Sequence, residues 1–269
     1  MSIIVDTWEA FADATIETKD LDPMYDFIWE ARRVKGPEWA DRFALHFFMF
    51  YNAGEAVKAA EYDGPFWSYV EFGYASFKRG TERRHFRGDR GASAVRNLRK
   101  FGNPSSVWDA LHEGDYLNLV ANVESNFGGC QIGPYFMWKA MDLMDRCLGR
   151  PVDVRLPDAA KFMPDEPRKC SSSVFPGVPI RVVLTHIADR IKRFPAPGNP
   201  NRMCSYPEAE TVLCMLKGYF LTKTHVIGDD IDEKYDQLAQ YPDMQSLLPS
   251  RIVKSNYVRR ILEPTSVPT

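Results

Sequence analysis

The run Phe127-Gly128-Gly129-Cys130-Gln131-Ile132-Gly133-Pro134-Tyr135, leading into an apolar-periodic stretch from Phe136 to Leu148, decides how this chain is read. A glycine hairpin that feeds a helix N-terminus aims backbone N–H groups and the positive end of the helix dipole at an anion, such as a DNA phosphate. An ordinary interhelical turn would use the same glycines. Gly128, Gly129, Ile132 and Gly133, together with Lys139 inside the helix, are the candidate duplex contacts. Just beyond lies Leu148-Gly149-Arg150-Pro151-Val152-Asp153-Val154, and then Asp158. Two carboxylates past a helix end, in a segment stiffened by Pro151 and Pro157, suit either turn formation or the placement of one acid in a cleft.

Outward from this hairpin, helical periodicity dominates. Apolar residues recur at three- and four-residue steps over Met24–Val34, Ala40–Tyr62, Phe66–Phe77, Ala92–Phe101, Ser105–Leu111 and Tyr116–Val123, and again over Ile180–Phe194 and Glu208–Leu221. Val152–Leu156 alternates, but it is short and flanked by prolines. Pro and Gly cluster over Lys78–Gly91, Asn126–Pro134, Pro164–Pro179 and Pro195–Pro207, which predicts long loops. The expectation is an all-α protein with one helical domain over residues 1–262. Its N-terminal part is residues 1–115, its hairpin-containing part residues 116–236, and residues 263–269 form a frayed tail.

Composition bounds the function. Of 269 residues, 45% are hydrophobic and 26% charged, enough to bury a large core. The formal net charge of −2 argues against a protein that coats nucleic acid. No apolar run reaches the roughly 18 residues of a membrane span, and Met1–Lys19 lacks the basic-then-apolar pattern of a signal peptide. The five cysteines are odd in number and widely spaced, fitting neither a disulfide framework nor a paired zinc site, so a reducing cytoplasm is expected.

Two further stretches carry chemistry. From Lys78 to Lys100 there are nine Lys/Arg against two acids, a net of +7. Within it, Arg79-Gly80-Thr81-Glu82-Arg83-Arg84-His85-Phe86-Arg87-Gly88 mixes glycines with arginines, whose guanidinium groups bind phosphate oxygens bidentately. His85 among arginines is disfavoured as a cation and is an acid–base candidate; a plain solvated basic loop is the alternative. The second stretch is Glu208-Ala-Glu210-Thr-Val-Leu-Cys214-Met-Leu-Lys217, followed by Gly228-Asp229-Asp230-Ile231-Asp232. Glu210, Cys214 and Lys217 share one helical face. The acidic run suits a metal, an amine or a solvated turn, and Cys214 suits a packed core.

The hairpin block resembles the helix-hairpin-helix DNA glycosylase superfamily, with Gln131 where the first hairpin glycine is usual. Together with Arg79–Gly88, Glu210–Cys214 and Gly228–Ile231, it resembles the α-glutamyl/putrescinyl-thymine pyrophosphorylase group. That group includes the phage amino acid:DNA transferases and the helical domain attached to 5-hydroxymethyluridine DNA kinases. No phosphate-binding loop of the kinase form G-x-x-x-x-G-K-[ST] occurs in the chain.

The resemblance implies a helix-hairpin-helix glycosylase-like helical fold and an amine or amino acid, glycine among them, transferred onto 5-pyrophosphoryloxymethyl-deoxyuridine in double-stranded DNA with release of pyrophosphate. It implies Asp158 as the catalytic carboxylate, with Asp153 as the fallback. The transfer chemistry assigns Arg83, Arg84 and Arg87 to the pyrophosphate, His85 to proton transfer, and Tyr135, Phe136 or Trp138 to an extruded base. Glu210, Lys217 and Asp230 are amine-binding or structural. No cofactor and no metal site is expected. A glycosylase that excises a modified base and a non-catalytic DNA-binding module are the competing readings.

Overall fold

A computed structural model of the chain describes residues 3–5, 7–80, 86–127, 133–223, 225–254 and 257–259. The fold is all-α, as the periodicity predicts. Helix α1 (Trp8–Glu17) starts where the Thr7 hydroxyl accepts from the Ala10 N–H at 3.2 Å. Helix α2 (Pro23–Lys35) follows, and then α3 (Pro37–Phe50), in which Phe43, Ala44, Leu45, His46, Phe47, Phe48, Met49 and Phe50 are all buried. A helix apolar on every side belongs at the centre of a core, and α2, α4 (Ala53–Glu61) and α7 (Pro104–Leu111) pack around it. His46 sits there among Phe50, Tyr69 and Phe77. Burial pushes its pKa down to about 3, so it is a neutral core residue.

The sequence predicts one helix over Ala40–Tyr62; the structure breaks it. Tyr51 takes a left-handed conformation (φ 53°), and the Asn52 side chain accepts from the Glu55 N–H at 3.0 Å to start α4. An Asn cap satisfies a donor that a continuous helix would have used internally, and periodicity does not register it.

Helices α5 (Phe66–Gly73), α6 (Gly88–Arg99) and α8 (Tyr116–Asn126) lead to α9 (Pro134–Arg146), the helix after the glycine run. Beyond it come α10 (Leu156–Phe162), α11 (Asp165–Val174), α12 (Ile180–Ile191) and α13 (Tyr206–Leu216). A π-helical turn over Lys217–Thr222 follows, then α14 (Asp229–Gln237) and the short α15 (Pro242–Gln245). Helices α1, α10, α11, α14 and α15 lie where the sequence reading has no helix. Parts of Lys78–Gly91 and Pro164–Pro179, expected as loops, are helical too. In α11 and α14 the buried face is narrow. Pro167, Cys170 and Ser171 are the buried residues of α11, and Ile231 and Lys234 those of α14.

The expected connection Pro195–Pro207 holds a small antiparallel hairpin, β2 (Pro195–Ala196) with β3 (Asn199–Met203). At the ends, β1 (Ile3–Val5) pairs in parallel with β4 (Tyr257–Arg259). Val152–Leu156 is no strand; Asp153 makes one isolated bridge to Asp115. Buried side chains from Val5 to Leu248 form one continuous core.

Candidate functional site

Six segments converge on an inner pocket of about 110 Å³. The α1–α2 connection and the first turn of α2 bring Asp22 and Tyr25, and the end of α3 brings Tyr51. Helix α9 brings Tyr135 and Lys139, α13 brings Thr211 and Cys214, and α14 brings Asp230 and Lys234. Buried Asp20 aims α14: its carboxylate accepts from the Gly228 N–H at 2.7 Å and the Ile231 N–H at 3.1 Å. Gly228 makes this turn at φ 100°, a conformation closed to most side chains.

Behind the pocket lies a buried ionic network. The fully buried Arg146 guanidinium pairs with Asp22 at 2.6 Å, Asp142 at 3.2 Å and Glu208 at 3.4 Å, and stacks over the Tyr25 ring at 4.3 Å. Lys139 pairs with Asp142 at 3.3 Å and Glu210 at 3.8 Å. Arg202 pairs with Asp145 at 2.6 Å and Glu208 at 2.9 Å. Five carboxylates thus surround three cations.

The protonation energetics follow from that excess. Burial pushes the Asp22 carboxyl up to about 6 against the pull of Arg146 and Lys139. Burial also pushes Glu210 up to about 7, opposed by Lys139. For Glu208, burial raises the pKa, but Arg146 and Arg202 outweigh it and hold the carboxyl below its usual range. For Lys139, burial works against the charge, yet Glu210 and its acidic neighbours lift its pKa well above normal. The pocket therefore has a fixed cation, Lys139, with one carboxyl in its wall, Asp22, and one behind it, Glu210, poised near neutrality.

An outer cleft of about 770 Å³ adjoins the pocket and shares Tyr135 and Cys214 with it. Its other walls are Pro134, Lys161, Phe162, Met163, Pro164, Asp165, Glu166 and Arg168. Arg168 is spent on the α10 end, donating to the carbonyls of Ala160, Lys161 and Met163.

Several sequence candidates meet here and several do not. Asp230 lines the inner pocket with Lys139, which is only 12% exposed, and Glu210 stands behind that wall, paired with Lys139. Lys217 faces away and pairs with Glu166 at 3.1 Å. Tyr135 lines both cavities, whereas Phe136 and Trp138 are fully buried, Phe136 against Phe48 and Phe86 and Trp138 against Tyr116. Cys214 is partly exposed and donates to Glu210 at 3.7 Å. Asp158 lies buried in the first turn of α10, outside the walls of both cavities. Asp153 is exposed and paired with Arg155 at 3.0 Å. Exposed Arg87 donates to the Gly80 carbonyl at 3.0 Å.

Arg83, Arg84, His85, Gly128, Gly129 and Ile132 lie outside the described residues, but their flanks are fixed. The Gly80 N–H donates to the Phe50 carbonyl at 3.0 Å, and a Cβ on Gly80 would stand 2.5 Å from the Tyr51 carbonyl oxygen. Phe86 packs on Phe136 at 4.9 Å between ring centroids. Arg79, donating to the carbonyls of Tyr74, Phe77 and Phe86, ties the base together. Among the described residues, Gly80 thus lies against the pocket's Tyr51, and Phe86 packs on Phe136, the neighbour of the pocket's Tyr135.

Two curated proteins are similar to the chain along most of its length. A putrescinyltransferase of Delftia phage PhiW-14 is 28% identical over 262 residues, covering 91% of this chain and 82% of the relative. A glycinyltransferase of Pseudomonas phage PaMx11 is 29% identical over 250 residues, covering 78% and 83%. The resemblance to the phage amino acid:DNA transferases holds. No family model matches the sequence. Among the described residues no group of three or more His, Cys, Asp or Glu is arranged to hold a metal ion, and no helix is long and apolar enough to cross a membrane.

Of the residues that line or back the pocket, the sequence reading missed Asp22, Tyr25, Tyr51, Asp142, Arg146 and Lys234. Asp22 before Pro23 reads as a helix cap, which hides its side chain's position in the pocket. Asp142 and Arg146, four residues apart in α9, were a visible signal: an ion pair on an otherwise apolar helix face.

Proposed function

We propose that this protein transfers a small amine or amino acid onto an activated thymine-derived base in phage DNA. Its similarity, over most of both chains, to two phage enzymes named for the transfer of small amines carries the reading. The ionic inner pocket beside an apolar cleft supports it, because the reaction needs one place for an amine and another for a base.

In the proposed reaction the free amine nitrogen attacks the 5-methylene carbon of 5-pyrophosphoryloxymethyl-deoxyuridine. A C–N bond forms, the C–O bond breaks, and pyrophosphate leaves with the bonding electrons. The nitrogen passes its proton to a carboxylate. Asp22 and Glu210 are the acceptors we favour over Asp158, since the first lines the amine pocket, the second stands against its Lys139 and Cys214, and both are held near neutrality. The target base leaves the duplex stack to enter the outer cleft between Tyr135 and Phe162. Arg87, with Arg83 and Arg84 between the anchored Gly80 and Phe86, stabilises the charge of the departing pyrophosphate. Gly133 and the hairpin before it hold the duplex by its backbone.

The test is to incubate the protein with DNA carrying the activated base and a mixture of amino acids and polyamines, then digest the DNA and weigh the nucleosides. A mass gain matching an amine, with pyrophosphate released, is expected. A missing base would favour excision instead, and unchanged nucleosides a binding module.

A further inference from the structure

Helix α5 lies along α6 in the opposite direction. The Trp67 indole at its start donates to the Gly102 carbonyl at 2.5 Å, and the Tyr74 hydroxyl just past its end donates to the Gly88 carbonyl at 3.0 Å. The inner face of α5 buries Phe66, Trp67, Val70 and Gly73. On the outer face Ser68, Glu71 and Phe72 are exposed, as are Ala75 and Ser76 one turn on. Phe72 is 96% exposed, the highest value for a large apolar side chain among the described residues; the next is Val253 at 64%. One exposed apolar side chain is ordinary. Its setting here is not.

Small side chains flank the ring, and beyond them the face is cationic. Glu71 is held by Arg99 at 2.5 Å. Ala75 shares a surface hollow of about 570 Å³ with Arg79, Arg87 and the first turn of α6. Arg90, Arg96 and Lys100 extend the exposed row, and among the described residues none of these three is paired with an acid. Five exposed bases along and beside α6 thus meet two exposed acids, Glu71 and Asp89. The same helix is fastened to both flanks of the glycine run. Just past its end, Phe101 stacks on Phe127 at 4.0 Å between ring centroids, and just before its start Phe86 packs on Phe136.

We propose that the α5–α6 face is a second duplex-docking surface, where Arg90, Arg96 and Lys100 meet backbone phosphates and the Phe72 ring enters the duplex at a base step. The inference rests on the transfer reading and deepens its DNA part. A duplex carries anions outside and an apolar stack within, which matches one aromatic ring set among cations. A second copy of this face would be repelled by its like charge. One ring among small residues is too little apolar surface for a membrane or a stable protein contact. An apolar side chain inserted at a base step unstacks it and kinks the duplex, which eases extrusion of a neighbouring base.

The full chain is titrated into a short unmodified duplex labelled at both ends. Anisotropy gives affinity as a function of salt, and energy transfer between the labels reports bending. The parent should bend the duplex. Phe72→Ala loses a side chain that touches little of the protein, so it should melt like the parent. It should bind about tenfold more weakly, as loss of one base-stacking contact does. Its salt dependence should not change, because no phosphate contact is lost, and the duplex should stay straight. Phe72→Leu keeps an apolar wedge and should keep the bend. Arg96→Ala should keep the bend too, and reduce the slope of log Kd against log salt by about 1. Equal affinity and equal bending for Phe72→Ala and the parent overturn the proposal. So does self-association of the chain that depends on Phe72 while DNA binding does not. The nucleoside-mass assay separates this inference from the reading beneath it. Bending that depends on Phe72, with no amine placed on activated DNA, sinks the transfer reading alone. Amine transfer by Phe72→Ala at the parent's KM for DNA sinks the docking face alone.

Discussion

Arg146→Met removes the cation on which three buried carboxylates depend while keeping much of the side-chain volume. Arg146 is fully buried and meets Asp22 at 2.6 Å, Asp142 at 3.2 Å and Glu208 at 3.4 Å. Removing one partner of a buried ion pair costs about 3–5 kcal/mol, because the remaining charge stays desolvated. For a chain of this length each kcal/mol moves the melting temperature by about 2–4 °C, so at pH 8 the variant should melt about 6–20 °C below the parent. The loss should depend on pH with a definite sign. Asp22 sits at about 6 in the folded protein against 3.8 for a free carboxyl, and Glu208 is held low by Arg146 and Arg202 against the upward push of burial. Without Arg146 both rise. A carboxyl raised in the folded state stabilises below its unfolded pKa and loses that contribution as pH climbs through the folded value. The melting deficit should therefore shrink by half or more between pH 8 and pH 5, measured by circular dichroism or scanning calorimetry. Adding Glu208→Gln should recover part of it, since the two sites share one network. A variant within about 2 °C of the parent at pH 8, or an equal deficit at both pH values, refutes the network as the support of the pocket.

Three other outcomes follow from the same geometry. In the transfer assay, kcat/KM for the amine should rise with pH through about 7 as Glu210 ionises. Glu210→Gln should flatten that limb and lower the rate about 10²-fold or more, and a limb left in place would remove Glu210 from proton transfer. Asp158→Asn should keep at least a third of transfer activity, because Asp158 stands outside both cavities; abolished transfer with melting unchanged would return the proton to Asp158. Gly80→Ala should lower both melting temperature and transfer, as its Cβ would stand 2.5 Å from a backbone oxygen of Tyr51. Gly133→Ala meets nothing within 4 Å and should melt normally, any deficit appearing in DNA retention alone.

How far the sequence led depended on what kind of signal each feature left. The helical class was legible because α3, α9 and α13 bury wide apolar faces, and periodicity reports such faces directly. The break at Tyr51 was not, since one left-handed residue and an Asn cap leave the 3.6-residue pattern almost untouched. In the site, Glu210 and Asp230 stood out because they belong to acidic runs. Asp22 and Arg146 are 124 residues apart and meet only through the packing of α2 against α9. No local spacing encodes that pairing. Lys139 shows the opposite error: a lysine beside a glycine hairpin looks like a phosphate contact, but its position inside α9 turns it toward Glu210 and Asp142.

The near-neutral charge of the chain acquires a physical meaning from where its ions sit. A formal charge of −2 over 269 residues looks uninformative, yet acids and bases are sorted. Arg87, Arg90, Arg96, Arg99 and Lys100 stand exposed along and beside α6, where, among the described residues, only Arg99 of these is tied to an acid, Glu71 at 2.5 Å. The acidic excess is internal, in the ring around Lys139, Arg146 and Arg202. Outward cations raise the local concentration of a polyanion without holding it, because exposed pairs with phosphate are screened by salt. Buried acids act over a short range in a medium of low polarity, where a single ammonium is strongly discriminated from a carboxylate. The function proposed above, which needs a visit to a polyanion and a site for one small amine, is served by cations placed outside and acids placed within.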